Sequence, residues 1–328
     1  MRKLFFKILY FTFLHKLFFI INKKKIITLM FHRVNPDIDH LWPSITPSTF
    51  EKLIKLILKN AQIISINNIF QNNFKNKNKL IFTFDDGYKD FLDYALPIIK
   101  KYNLEANLNI CPKLVSNSLI PWTQKINFLL KNNSLALSKL LNEFSIKYNI
   151  VKVNSLTFNF ICDKIHNLNN ANYKKFNYKL NKIPLNTENI LLNWNEIKYC
   201  FQNGVIIGNH SNSHLNIDKL NYSELDFEIN KSRIFINNII NKNTNIFSIP
   251  SGKINIKSLK FISDTHKIIL FSNESSNLAK FKKSYIGLNR INISVNDQYE
   301  EFFRAFGFHS YLKSYLRYFF FKKNNKAR

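Results

Sequence analysis

The stretch Lys79-Leu80-Ile81-Phe82-Thr83-Phe84-Asp85-Asp86-Gly87 decides how this chain folds. Five of its first six residues suit a pleated, buried strand, and the strand then runs straight into two adjacent carboxylates. Like charges at the end of an apolar strand repel and lose solvation, a cost that a cation or a proton must offset. A solvated turn would carry an Asp-Asp-Gly at no such cost, but the strand leading into it makes that plainer reading uncomfortable. Gly87 supplies the backbone freedom for a tight turn at the same point.

Working outward, strands and helices alternate. Before the decisive stretch, Ile26–Val34 (IITLMFHRV) reads as a strand, and Thr46-Pro47-Ser48 opens a helix in which Ser48 and Glu51 have capping-box spacing. After it come a helix from Tyr88 to Tyr102, kinked at Pro97, and a strand at Ala106–Cys111. From Lys113 to Ile190 the chain is rich in Asn and Lys with weak helical periodicity, which reads as a helical insertion. Alternation resumes with helix Asn193–Asn203, strand Val205–Ile207, helix Ser223–Asn241 and strand Ile246–Ile249, then strands at Lys267–Ser272 and Leu288–Ser294. Such alternation argues for an α/β fold with a mostly parallel sheet, whose strand C-terminal ends are where sites are built.

Glycine is scarce, and three of the six glycines fall beside polar residues at expected strand ends: TFDDG, IGNHSNSH and IPSG. In the second, His210 and His214 stand four residues apart just after a strand. Two imidazoles at that spacing converge on one metal if the segment turns. Joined by one carboxylate, they leave a coordination position open for water. Chance surface histidines are the plainer reading of HxxxH alone, and the upstream Asp-Asp-Gly weakens it. Phe247–Gly252 (FSIPSG) by itself means strand then turn.

The order TFDDGY, IGNHSNSHLNIDKLNYSELDFEINKS and FSIPSGK resembles the polysaccharide deacetylase (NodB homology, carbohydrate esterase 4-like) family, and LMFHRV resembles the YHRV-type first strand of many members. The likeness spans roughly residues 26–294 apart from the insertion. It implies a distorted (β/α) barrel of fewer than eight strands, and a metal-dependent hydrolase of non-peptide carbon–nitrogen bonds that removes N-acetyl or another acyl group from an amino sugar. Carried over by motif, Asp85 is the general base, and Asp86, His210 and His214 hold a divalent metal, most often zinc. The late Leu-His motif that supplies an acid in many members is missing, since neither His266 nor His309 has its context. His32 of the first strand is the expected acid, against a plainer reading as a structural histidine. Ser248 stands where many members carry the arginine that orients the base, so that orientation must come from elsewhere. Pro250, Ser251 and Gly252 are expected near the sugar or the oxyanion. PWTQKINFLL resembles an insert that walls the sugar site in some relatives. Trp122 or Trp194 is then a candidate sugar platform, although core packing is the commoner fate of a tryptophan. Residues 35–44, with Trp42, suggest a rim loop.

Composition bounds the rest. The net charge of +27 invites nucleic acid, but only seven of the 48 basic residues are arginine, the side chain that phosphate and base readers favour, and no nucleic-acid motif is present. No nucleic-acid partner is expected. Cys111, Cys162 and Cys200 have no CxxC spacing and read as reduced, buried thiols. Residues 1–25 form a basic, aromatic segment interrupted by Lys7, His15 and Lys16, which suits a helix lying on a membrane surface better than one spanning it. Residues 297–328 have the same flavour, leaving 26–296 as the deacetylase-like domain with its insertion at about 113–190. Expected partners are an amino-sugar glycan or a lipid- or nucleotide-linked sugar, and an anionic membrane surface. The expected place is the cytoplasmic face of the inner membrane; an extracytoplasmic enzyme held by an uncleaved N-terminal anchor is the alternative. A catalytically silent glycan- or membrane-binding protein is the competing function.

Overall fold

The computed structural model describes residues 2–12, 16, 26–42, 44–70, 78–148, 153–185, 190–272 and 279–308. Seven parallel strands run β1 (Ile26–Phe31), β3 (Lys79–Phe84), β4 (Asn107–Ile110), β5 (Ile206–Asn209), β6 (Ile246–Ser248), β7 (Ile268–Phe271) and β9 (Ile286–Asn292), and β9 pairs back onto β1 to close a barrel. The expected (β/α) barrel of fewer than eight strands is therefore what forms. Two short strands were not foreseen: β2 (Gln62–Ile63) lies parallel to the start of β3, and β8 (Ala279–Phe281) runs antiparallel to β9.

Period-two alternation sorts each strand into an outer and an inner row. Leu80, Phe82 and Phe84 of β3 and Ile27, Leu29 and Phe31 of β1 join one large cluster with α2 (Pro47–Asn60), α3 (Leu96–Lys101), α9 (Trp194–Gln202), α11 (Ser232–Ile240) and α13 (Gln298–Ala305). The intervening residues face inward. At the N-terminal end of the barrel they are Ile26, Ile81, Ile246, Ile268 and Ile286. Further along, the same rows turn polar, through Thr83, Asn109, Ser248 and Arg290, all buried. The next inward positions, at or just beyond the strand ends, are His32, Asp85, His210 and Ser272. The fold thus builds a site at its C-terminal mouth on an apolar floor.

Two local readings change. Helix α2 is capped by Thr46, whose hydroxyl accepts the Thr49 N–H at 3.3 Å, and not by Ser48. Pro47 dictates this: having no N–H and a helical φ, it belongs in the first turn, so the cap falls just before it. Glu51 instead pairs with Lys101 and accepts from the Tyr102 hydroxyl. The helix after Gly87 is not simply kinked at Pro97: a wide π-type turn (Phe91–Ala95) precedes α3, which carries the proline in its first turn.

Between β4 and α9 lie α4 (Pro112–Ser116), α5 (Trp122–Asn132), α6 (Ser134–Asn142), α7 (Ser155–His166) and α8 (Asn170–Lys182). α5 to α8 share their own core around Ile126, Leu137, Ile161 and Phe176, with Leu41 and Trp42 of the rim loop packed into it. The remaining helices are α10 (Tyr222–Leu225) and α12 (Ile256–Thr265). At the N-terminus α1 (Arg2–Phe11) lays Phe6 and Tyr10 against Phe303 and Phe302 of α13, and turns Leu4, Phe5, Ile8 and Phe11 to solvent. No helix among the described residues is long and apolar enough to cross a membrane. The rest of both terminal segments, with His309, lies outside the described residues. All three cysteines are buried and unpaired.

Behind the barrel mouth, Glu301 accepts the Ser294 N–H at 2.9 Å and that of Val295, with Arg304 Nε 3.3 Å from its other oxygen. Burial, only partly offset by Arg304, pushes this carboxyl up to about 7 from an ordinary 4.5. The folded state therefore holds the proton more tightly than the unfolded chain. The favourable share is fully present below about pH 4.5 and is lost as pH rises to about 7. Glu301→Gln should flatten the fall in unfolding free energy between pH 5 and 8 by on the order of 2–3 kcal/mol, because a tenfold difference in proton affinity between the folded and unfolded states is worth about 1.36 kcal/mol. Urea titrations at the two pH values check this; an unchanged slope would refute it.

Candidate active site and metal centre

The two sequence clusters meet at the barrel mouth. Asp86 Oδ1 lies 3.5 Å from His210 Nε2 and 3.4 Å from His214 Nε2, and one ligand atom from each residue falls within 4.8 Å of the others. All three side chains are buried, and Asp86 Oδ1 receives no hydrogen bond of normal geometry. A buried carboxylate oxygen left without a donor, facing two imidazole nitrogens, is the donor set of a divalent cation, so these residues fit the metal that the motif implies. The tautomer of His210 suits this role. Its Nδ1 stands 2.9 Å from the Ser248 carbonyl, which can only accept, so Nδ1 carries the proton and Nε2 offers its lone pair.

The backbone works to bring these groups together. Asp86 (φ +73°), Ser211 (φ +63°), His214 (φ +57°) and Ser251 (φ +55°) all adopt the left-handed conformation, with a cost of order 1–3 kcal/mol each that the surroundings must offset. Part of that support is visible in the HSNSH loop. Ser211 Oγ accepts the His214 N–H, and the buried Glu228 accepts both the Ser213 N–H at 2.9 Å and its hydroxyl at 2.6 Å.

Asp85 points into the lumen and is clamped. Arg290 reaches it from β9 with Nη1 2.9 Å from Oδ1 and Nη2 2.8 Å from Oδ2. Asn109 donates to Oδ1 at 2.8 Å, and Ser248 Oγ lies 3.2 Å from both oxygens while accepting from Arg290 at 2.9 Å. The arginine absent from the third motif is thus replaced by one arriving from the strand that closes the barrel, with Ser248 bridging the two. Gly208 makes room for this clamp: a Cβ there would come within 2.0 Å of Asn109 Oδ1.

Burial alone would raise the Asp85 carboxyl, but the Arg290 guanidinium and the His210 ring outweigh it and hold it well below the usual carboxylate range. Asp86 is lowered in the same way, its burial being outweighed by His214 and His210. Burial lowers His214 to about 4, so its ring is neutral near pH 7. For His210 burial also lowers the value, but Asp85 and Asp86 more than reverse it and the ring is raised above 6.5.

A cavity of about 250 Å³ opens over these groups. His32 and Ser251 line it together with Asp85, Asp86, His210 and His214. His32 is half-buried and edge-on to Trp42, at 5.7 Å between ring centres, and burial lowers its pKa against the pull of Asp86 and Asp85. Pro250 is buried and Gly252 takes φ +66°, and of this expected trio only Ser251 lines the cavity. The insertion supplies the opposite side: Phe158, Cys162 and His166, four residues apart along α7, present one face to the cavity.

Trp122 is not a sugar platform. It is 4% exposed, packed in the insertion's core, with its ring 5.0 Å from His166 edge-on. Its large apolar ring is worth more to the insertion's core than to a wet wall. Trp194 lies away from the cavity, donating to Ser116 Oγ and packing on Phe235. Sequence reasoning missed His166, whose Nδ1 is 3.0 Å from Asn216 Nδ2, and burial lowers that ring to about 4. It also missed Arg290, although an arginine in the inward row of Ile286 and Leu288 was a signal that could have been used. His266 packs on Phe247 below the site and lines no part of it.

Comparison with known proteins follows the same lines. Residues 164–266 match the family model described as polysaccharide deacetylase. No curated protein sequence matches the chain significantly. Among solved structures, the Streptococcus pyogenes deacetylase PplD in complex with acetate aligns with a TM-score of 0.57 at 18% identity, covering 87% of this chain and 99% of that one. IcaB from Ammonifex degensii aligns at 0.55 and 12% identity, over 87% and 97% of the two chains. A de-N-acetylase from Aggregatibacter actinomycetemcomitans aligns at 0.51 and 16%, over 83% and 95%. At these identities the structural likeness speaks for the fold. With the motif order and the matched segment, it makes the chain similar to the NodB-type polysaccharide deacetylases, whose barrel fold it shares.

Proposed function

We propose that this protein is a metal-dependent hydrolase that removes acetyl, or another acyl group, from the amino sugar of a surface polysaccharide, a glycolipid or their precursor. One observation carries the reading: a three-ligand Asp-His-His cluster and an Arg-clamped carboxylate share one cavity of sugar-ring scale. A divalent cation held by Asp86, His210 and His214, zinc being the first choice, would polarise the acyl carbonyl and acidify a water. Asp85, kept ionised and fixed by Arg290, Ser248 and Asn109, takes the proton of the attacking water. His32, on the same cavity wall, returns a proton to the departing sugar amine, so that amide and water become carboxylate and amine. Ser251 and His166 line the space left for the sugar.

Acetate release from N-acetylglucosamine oligomers by metal-loaded protein tests the reading. Asp85→Asn should lower kcat by about 10²–10⁴ while keeping bound metal, and His32→Ala by about 10². Protein that binds no divalent metal and releases no acyl group from any amino sugar would overturn it. That all four motif side chains stand in one site supports an active enzyme over a silent binder.

The apolar outer face of α1, flanked by Lys3 and Lys7, supports peripheral attachment to an anionic bilayer, which we propose is the cytoplasmic leaflet. Flotation with phosphatidylglycerol vesicles should carry the wild-type protein upward and leave Phe5→Ser/Ile8→Ser behind; equal flotation would refute the role of α1.

A further inference from the structure

A second cavity, of about 700 Å³, adjoins the first and shares His32, Trp42 and Phe158 with it. Its walls carry three of the chain's seven arginines, Arg2, Arg33 and Arg304, with Asn159, Asn292 and Ser294 between them. This concentration runs against the composition, in which lysine makes up nearly all the positive charge. Arginine presents a planar fork of donors suited to the oxygens of phosphate or carboxylate, whereas lysine is a point charge. No carboxylate lines this cavity among the described residues.

Each guanidinium is instead held from behind. Arg33 Nε donates to the buried Asp90 at 2.6 Å, and its guanidinium lies 5.1 Å over the Tyr88 ring. Arg2 meets the buried Glu300 at 2.6 Å, and Arg304 lies 3.5 Å from Glu300 and 3.3 Å from Glu301. A guanidinium has five N–H donors, so for Arg2 and Arg33 one bond to a backing carboxylate fixes its direction and leaves donors for a ligand. Ordering these side chains before the ligand arrives removes part of the entropic cost of binding.

Resting on the deacetylase reading of the neighbouring cavity, we infer that this arginine-lined cavity binds the anionic substituent of the substrate: a phosphate ester carried next to the amino sugar whose acyl group lies at Asp85. Trp42 and His32 form the shared wall, so sugar and phosphate would bind side by side. A sugar linked through phosphate to a lipid and one linked to a nucleotide present the same group, and α1, which carries Arg2, also carries the exposed apolar face.

The test uses the full-length, metal-loaded chain. Calorimetry should show N-acetylglucosamine 1-phosphate binding at least about tenfold more tightly than N-acetylglucosamine, the expected worth of a charge-assisted hydrogen bond. Arg2→Ala, at a side chain that is 67% exposed and therefore outside the core, should cut that preference about tenfold, and Arg2→Glu should abolish it. Circular dichroism would verify that both variants fold. Equal affinity for the two sugars, or a preference that survives Arg2→Glu, overturns the inference and leaves the deacetylase reading untouched. Tight sugar-phosphate binding with no acyl release from any substrate upholds the subsite and defeats the deacetylase reading. Turnover of UDP-N-acetylglucosamine against polyprenyl-diphosphate-linked N-acetylglucosamine in vesicles identifies the source of the phosphate.

Discussion

Arg290→Leu is expected to cut kcat/KM at least about a hundredfold and to destabilise the fold by about 3–5 kcal/mol. The side chain is fully buried, and its partner Asp85 is buried as well. Removing the guanidinium leaves an ionised carboxylate in the lumen with, among the described residues, Asn109 and Ser248 as its side-chain donors. A buried charge stripped of its partner loses far more than a surface pair does, and the carboxyl must take up a proton or water must enter. Either outcome removes the ionised, oriented carboxylate that we propose as the base. Arg290→Lys separates the two effects. An ammonium restores the charge, so much of the stability should return. It cannot reproduce the paired Nη1 and Nη2 contacts at 2.9 and 2.8 Å, so kcat should stay depressed. If Arg290→Lys regains stability and rate together, orientation by the fork is not what Arg290 contributes. If Arg290→Leu leaves both near wild type, the clamp is not needed at all.

That residue also shows where a sequence reading stops. Asp85 and Asp86 were legible because strand and turn are local, and His210 and His214 because four-residue spacing is local. Arg290 lies 205 residues from Asp85, and the two meet only because β9 pairs with β1 to complete the barrel. Nothing local records that closure. Yet Ile286, Leu288 and Arg290 form one inward row, so a cation in an otherwise apolar row pointed at a buried anion. His166 was hidden for a different reason. The insertion's helical character was legible from its weak periodicity, but which face of α7 meets the barrel depends on how α5, α7 and α8 pack together. The same packing buried Trp122, whose size made it a tempting platform. The Thr46 cap was within reach, because Pro47 admits only one place in a first turn.

Metal binding is expected to weaken steeply as pH falls below the raised value of His210, where each cation bound must displace one proton from that ring. To act as ligands the imidazoles must be neutral. His214 already is, its value being lowered to about 4 chiefly by burial. His210 is the ring whose proton must leave, because Asp85 and Asp86 outweigh its burial and raise it above 6.5. Above that raised value the affinity should level off; below it, the affinity should drop about tenfold per pH unit, the slope for one displaced proton. Asp86→Asn removes a ligand charge and one of the two carboxylates that raise His210. The affinity should then fall at least about a hundredfold, and the remaining pH dependence should move to lower pH. Chelated wild-type protein should lose the stabilisation that a bound cation confers, about 4 kcal/mol at a thousandfold excess over Kd, while chelated Asp86→Asn should lose far less. Zinc calorimetry in two buffers of different ionisation enthalpy counts the proton, and urea unfolding with and without chelator reads the stabilisation. Affinity that is flat from pH 6 to 8, or equal in wild type and Asp86→Asn, would show that the cation is bound somewhere other than at Asp86, His210 and His214.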